Sequence, residues 1–401
     1  MTPDDETLAC PFDFSEGLEF DPCLAALMER NSLTRIRLPY GDADAWLVTG
    51  FEGVQQVTTD QRFSRAGIME FDYPRLTPEP IVSPESINVM DPPLSSRLRR
   101  LASQAFTQRQ VDGMRDKITR LTDSLLDEMA AQQPPVDLVR HLSDPMPQQT
   151  IFELLGIPQD DWPLMQRNLQ QLLATGPDSR EQAAAAKAAL RAYFGTLVQQ
   201  RRAAPGDDLI SVLASAVDGE DAFDDDELAV MALTLTLSGQ DTVTCQISDI
   251  AYLLLTRPEL MKHIDGRPEA LTDVINELLR VIPFRKGVGI PRVATEDVVM
   301  EGVRIRKGDF VHVSYLTANR DPRRFPDPDF IDPDRCSTPH MTFGWGGHRC
   351  VAVPLAMAEL EVAIGRLLDR FPTLRLAVPP EEVRWDTKTI RRFPLELPVT
   401  W

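Results

Sequence analysis

The stretch TFGWGGHRCVAVPLA, residues Thr342 to Ala356, carries the reading on which the fold turns. It sets a cysteine, Cys350, after glycines at 344, 346 and 347 and before a segment of helical character. A thiol at a helix N-terminus meets the positive end of the macrodipole and unpaired N–H groups, both of which favour thiolate over thiol. Glycines let the backbone turn tightly and bring those N–H groups close to the sulfur. Three roles suit such a sulfur: nucleophile, redox sensor or metal ligand. Structural zinc would need more Cys or His at ligand spacing, whereas His348 is the one neighbour and Cys336 lies across a proline-rich stretch. A nucleophile needs a base held by an orienter, and among five histidines nothing points to one. The glycines lack the following GK[ST] of a phosphate loop.

Working outward, residues 225–256 read DDELAVMALTLTLSGQDTVTCQISDIAYLLLT, with no proline. Acidic residues open the run, as the helix dipole favours, and apolar residues cover most of its circumference, which predicts a buried central helix. Its middle holds SGQDT, polar where packing alone would prefer Leu or Ala. Helices are also expected over 95–133 with a break near Thr107, around 143–155, 160–174, 179–202 and 207–216, over 268–281, and from Pro354 to Phe371. Short strands fit RIRLPY, AWLVTGF and the alternating run 291–314. Residues 66–93 are proline-rich and read as a long, irregular loop of the kind that is usually functional or disordered. The expectation is one mainly α domain over 1–401 with small β-sheets, its β-rich lobe drawn from 30–60, 288–315 and 375–401.

The chain has 401 residues, 42 basic and 61 acidic side chains and a net charge of -19, which argues against a nucleic-acid binder. The N-terminal segment lacks an apolar signal core, and no apolar run reaches the ~18 residues of a spanning helix. Five widely spaced cysteines without a CxxC pair do not form a disulfide framework. These features place the chain in the cytoplasm, away from membranes, with reduced thiols.

A single thiolate can hold haem iron as its axial ligand. FGWGGHRC resembles the haem-binding loop FGxGxHxC of the cytochrome P-450 family. SGQDT resembles that family's oxygen-activating motif, ELLR its ExxR pair, FIDPDR its meander, and DPPLSSRLRRLASQAF the helix crossing the proximal face of the haem. The motifs occur in the family's order across nearly the whole chain. Two positions depart from its pattern: Ala352 stands where glycine is usual, and Ser95 where many bacterial members carry histidine.

The resemblance implies the cytochrome P-450 fold, with a long central helix over a buried haem b. It makes Cys350 the iron ligand, with Phe343 and Gly344 in the haem loop and Gly239 on the distal helix. Arg99, Arg292 and His348 fall where the family supplies propionate partners. Asp241 and Thr242 become a proton-delivering acid and alcohol on a helix opened at Gly239, and Glu277, Arg280 and Arg335 a structural group. By family position the substrate meets Thr234, Leu237, Phe284, Val288 and Phe393, while Arg285 and Lys286 are expected to point to solvent. The implied activity is monooxygenation (hydroxylation or epoxidation) of a small natural product in bacterial secondary metabolism. Oxidative aryl coupling is the alternative, and a non-catalytic haem sensor a third reading. Electrons would come from a ferredoxin and its reductase through Arg97, Arg100 and Arg349, and the enzyme would work as a monomer.

Overall fold

The long apolar run folds as one helix, Asp225–Thr256. Its start is set by a capping box: the Asp224 carboxylate accepts from the Glu227 N–H, and the Glu227 carboxylate accepts from the Asp224 N–H. Pro258 follows its C-cap, Arg257. In this computed structural model residues 7–401 are described, apart from 10–11, 13, 15–16, 31, 78–79, 81, 174–179, 216–222, 266 and 336–338. Cys10 and Cys336 therefore lie outside the described residues.

Helices pack around the central one. Pro145–Leu154, Arg180–Ala203 and the C-terminal helix Val353–Arg370 lie against it, and Gln108–Ala130 packs on Val353–Arg370. Thr107 does break the earlier helical run, because its hydroxyl caps Gln108–Ala130 by accepting from the Gln110 N–H. A continuous core of Leu, Ile, Val and Phe fills this α-rich region.

A six-stranded sheet flanks the helices in the order Leu8–Ala9, Leu33–Arg37, Ala45–Val48, Phe310–Val313, Arg292–Ala294, Phe63–Ser64. Trp46 pairs with Val311 in parallel, and Arg292 with the same Val311 antiparallel. Residues 375–401 do not join this lobe as expected. Their strands Arg375–Leu376 and Pro398–Thr400 pair with each other, and Pro398–Thr400 pairs on its other side with Val136–Asp137. Leu397 and Val399 are buried in the helical core, so apolar burial ties this end of the chain to the helices. Among the described residues no helix is long and apolar enough to cross a membrane.

Candidate active site

The cysteine loop is closed by backbone bonds: Cys350 N–H donates to Phe343 O at 2.8 Å and Gly344 N–H to Met341 O at 2.8 Å. Gly344 and Gly346 have φ of +75° and +67°. At Gly346 the need for glycine is also steric, since a Cβ would stand 2.2 Å from the Thr58 carbonyl oxygen. Ala352, in contrast, has φ -101°, a conformation open to any residue, so alanine replaces the family's glycine without strain.

Cys350 has exposed surface, yet protein atoms crowd it enough for burial to push its thiol up. That combination places the sulfur on a concave inner wall. The Ala352 N–H, Arg99 and Arg349 pull the other way, but burial dominates. The helix-start setting therefore does not by itself deliver a thiolate. Metal coordination would, since a coordinating thiol is deprotonated outright.

Cations converge beside this sulfur. Arg99, on helix Leu94–Ala105, is within electrostatic reach of Cys350. His348 is pushed down to about 3 by burial and by Arg65, Arg292 and Arg99. Arg65 is pushed down to about 9 by burial and by Arg292 and Arg99. Arg292 is 1% exposed beside the Tyr315 hydroxyl and Asp91, and among the described residues neither of its Nη atoms meets an acceptor in good hydrogen-bonding geometry. Buried like charges repel and cost several kcal/mol unless an anion joins them. Bidentate arginine donors match carboxylates, so the cluster fits the two propionates of a haem. Arg65 was absent from the sequence reading. It sits in an ordinary loop after Phe63–Ser64, anchored by Asp91 Oδ1 on its N–H at 3.0 Å and by Asn88 O on its Nη1 at 2.8 Å. No local pattern marks it. Ser95 is buried at 2% exposure, and His348 Nε2 pairs with Met90 O at 2.9 Å.

Behind the loop, Arg280 Nε and Nη2 bind the two Glu277 oxygens at 2.9 and 2.7 Å, with both residues nearly inaccessible. Arg280 also donates to the carbonyls of Asn319, Pro328 and Phe330. Arg335 Nε reaches Glu277 at 3.4 Å. Asn319, another residue not foreseen, continues the network by donating to Thr342 Oγ1 at 2.9 Å and accepting the Met341 N–H at 2.6 Å. The pair thus fixes the first residues of the cysteine loop.

On the central helix, Thr242 Oγ1 donates to Ser238 O at 3.0 Å. The helix is continuous through 238–242, so the opening expected at Gly239 is absent from the backbone; a Cβ at Gly239 would touch Ile151 at 3.4 Å. Asp241 is clamped by Arg391 at 2.8 Å and Arg285 at 3.6 Å. The expectation that Arg285 and Lys286 face solvent fails for Lys286, while the Arg285 side chain keeps 41% exposure. Arg285 turns to Asp241, and Lys286 is buried with Nζ donating to Thr387 O at 3.2 Å. Segments 284–286 and 390–392 pair in antiparallel fashion, with Lys286 N–H on Ile390 O and Arg392 N–H on Phe284 O. This brings Phe284 and Phe393 to one wall, each with an arginine over its ring. Leu237 is half-buried in the helical core. Thr234 Oγ1 lies 3.4 Å from Ser86 Oγ of the 66–93 loop. Val288 packs elsewhere, against the sheet-side cluster with Phe12 and Val293.

A cysteine loop, a convergent cation cluster and a buried Glu–Arg pair behind them meet here, and comparison with known proteins gives the same answer. The cytochrome P450 family profile matches residues 269–389. Nocardicin C N-oxygenase of Nocardia uniformis subsp. tsuyamanensis is 43% identical, over 99% of each chain. The chain belongs to the cytochrome P450 family. Mycinamicin IV hydroxylase/epoxidase of Micromonospora griseorubida is 41% identical, again over 99% of each chain. The crystal structure of cytochrome P450mel 107F1 with biaryl coupling reactivity superposes with a TM-score of 0.95 at 54% identity, covering 99% of this chain and 100% of that one. This P450 is a haem-dependent monooxygenase with a cysteine thiolate as axial ligand, and it acts on a small molecule with electrons from a redox partner.

Proposed function

We propose that Cys350 holds the haem iron, that Arg65, Arg99, Arg292 and His348 meet its propionates, and that the enzyme inserts oxygen from dioxygen into a small natural product. The observation that carries this reading is the gathering of the buried guanidiniums Arg65, Arg292 and Arg99 beside His348 and Cys350, with Asp91 the one carboxylate that acts on the first two among the described residues, an excess of positive charge that an anionic group would relieve. When bound, the haem with its thiolate supplies the oxidising chemistry. The protein supplies placement and protons. Thr242 Oγ1 holds a proton on the central helix, one residue from the Asp241 carboxylate that replenishes it. Arg391 and Arg285 fix that carboxylate. Phe284 and Phe393 give the substrate an apolar wall, closed by Thr234 and Leu237. Glu277, Arg280 and Arg335 hold the scaffold.

Aryl coupling is the second reading, favoured by the 54% identity to a P450 with biaryl coupling reactivity, against 43% and 41% to the N-oxygenase and the hydroxylase/epoxidase. Isotopically labelled dioxygen separates the two. Metabolites that shift the haem absorption are turned over, and the product is weighed. Insertion leaves one labelled oxygen atom in the product, whereas coupling joins two rings with loss of hydrogen and leaves no label.

For the electron donor we infer a ferredoxin with its reductase, docking on Arg100 and Arg349, both exposed. Arg97 is not part of this patch, because it is ion-paired with Glu227 of the central helix. The same reading has the enzyme working as a monomer in the bacterial cytoplasm.

A further inference from the structure

Beyond Asp241 the central helix carries polar residues that the mechanism above leaves unused. Asp241, Cys245 and Asp249 recur every four residues and share one helix face. Asp249 is fully buried, and among the described residues neither carboxyl oxygen has a hydrogen-bond partner. One turn before it, the amide oxygen and nitrogen of Gln246 are buried and unpartnered among the described residues, as is the hydroxyl of Thr244 one turn after Asp241. Such clusters are satisfied by ordered water. The C-terminal segment lies along the same face: Arg391 binds Asp241, Arg392 is the cation beside Asp249, and Trp385 packs on Tyr252 with ring centroids 5.1 Å apart. Arg392 Nη2 in turn donates to the carbonyls of Gly17 and Glu19, and Glu19 is exposed.

We propose that Asp249 feeds protons to Asp241 along the Cys245 face of the central helix, through ordered water, and is itself refilled from solvent past Glu19. This rests on the monooxygenase reading above, because a supply route matters only where turnover consumes protons at Thr242. In each transfer an O–H bond of the Asp249 carboxyl breaks and one on Asp241 forms, and no electron moves. Arg392 stabilises the carboxylate left behind until a solvent proton restores it. Eight residues of helix span ~12 Å, too far for a direct hop. The Cys245 thiol lies at the midpoint, with Thr244 one turn from Asp241 and Gln246 one turn from Asp249 as anchors for bridging water at the two ends. Burial pushes both the Asp249 carboxyl and the Cys245 thiol well up, and Arg392 pulls the carboxyl the other way. The charges around the route are Asp241 with Arg285, Arg391 and Asp144 near it, Asp386 on Arg391, and Arg392 with Asp21 and Glu19 near Asp249. Asp249 acts through Asp241 and touches neither substrate nor haem.

The test uses the haem-loaded enzyme. Asp249→Asn keeps the shape and removes the acidic proton. Coupled product formation is expected to fall about tenfold, less than for a group acting directly, with a raised solvent isotope effect and unchanged substrate affinity. Its infrared spectrum should lose a protonated-carboxyl band that the parent shows, a readout independent of turnover. Cys245→Val, which fills the seam with apolar bulk, should reproduce the loss of coupling while keeping the band. If Asp249→Asn lowers only thermal stability and leaves coupling and isotope effect unchanged, or if the parent lacks the band, the route is wrong. The monooxygenase reading fails separately, by absence of the thiolate-ligated haem spectrum.

Discussion

Replacing Glu277 with alanine is expected to leave little folded, haem-loaded protein. The substitution strands the Arg280 guanidinium at 1% exposure with its two carboxylate bonds gone, and it removes the acceptor for Arg335 and for the Asp332 N–H. Breaking one side of a buried ion pair costs about 3–5 kcal/mol, a large share of the ~5–15 kcal/mol by which a folded protein exceeds its unfolded state. Arg280→Lys should be nearly as severe, because a single ammonium cannot reach Glu277 and the carbonyls of Asn319, Pro328 and Phe330 together. Denaturant unfolding with haem retention checks both. A loss under about 1 kcal/mol, the worth of a surface pair, would mean that the network does not hold the cysteine loop.

Thr242→Ala should separate binding from chemistry. The fold loses one side-chain bond, to Ser238 O, worth about 1 kcal/mol at most. Haem loading and substrate affinity should therefore stay close to the parent's. Without the hydroxyl, proton delivery slows, and coupled product formation should fall by roughly a hundredfold, the lower end for a positioned proton donor. The reducing equivalents then appear as hydrogen peroxide. Measuring product, peroxide and reductant consumed in one assay checks this. Parent-like coupling in the alanine variant would confine Thr242 to its helix bond.

What the sequence made legible was local. The acidic opening of the central helix, the spacing of Glu277 and Arg280, and the glycines before Cys350 each act within a turn or two of chain, so composition and spacing reveal them. The remainder depends on segments that meet only in three dimensions. Arg65 and Asn319 have no periodic or motif context; they matter because Arg292, His348 and Thr342 come to them. Arg285 reads as a solvent charge until Asp241 of the central helix is placed beside it. Residues 375–401 alternate like the other strands, and the choice between sheet lobe and helical core is made by where Leu397 and Val399 are buried. The thiol shows the converse. A helix start favours thiolate in isolation, but crowding around Cys350 reverses the sign.

The central claim is that the Cys350 sulfur bonds haem iron, and one spectrum tests it most directly. Purified protein, reduced and exposed to carbon monoxide, should show the long-wavelength Soret absorption of thiolate ligation, and Cys350→Ala should lose it. Protein that stays colourless with ample haem, or an alanine variant with an unaltered spectrum, would contradict the account.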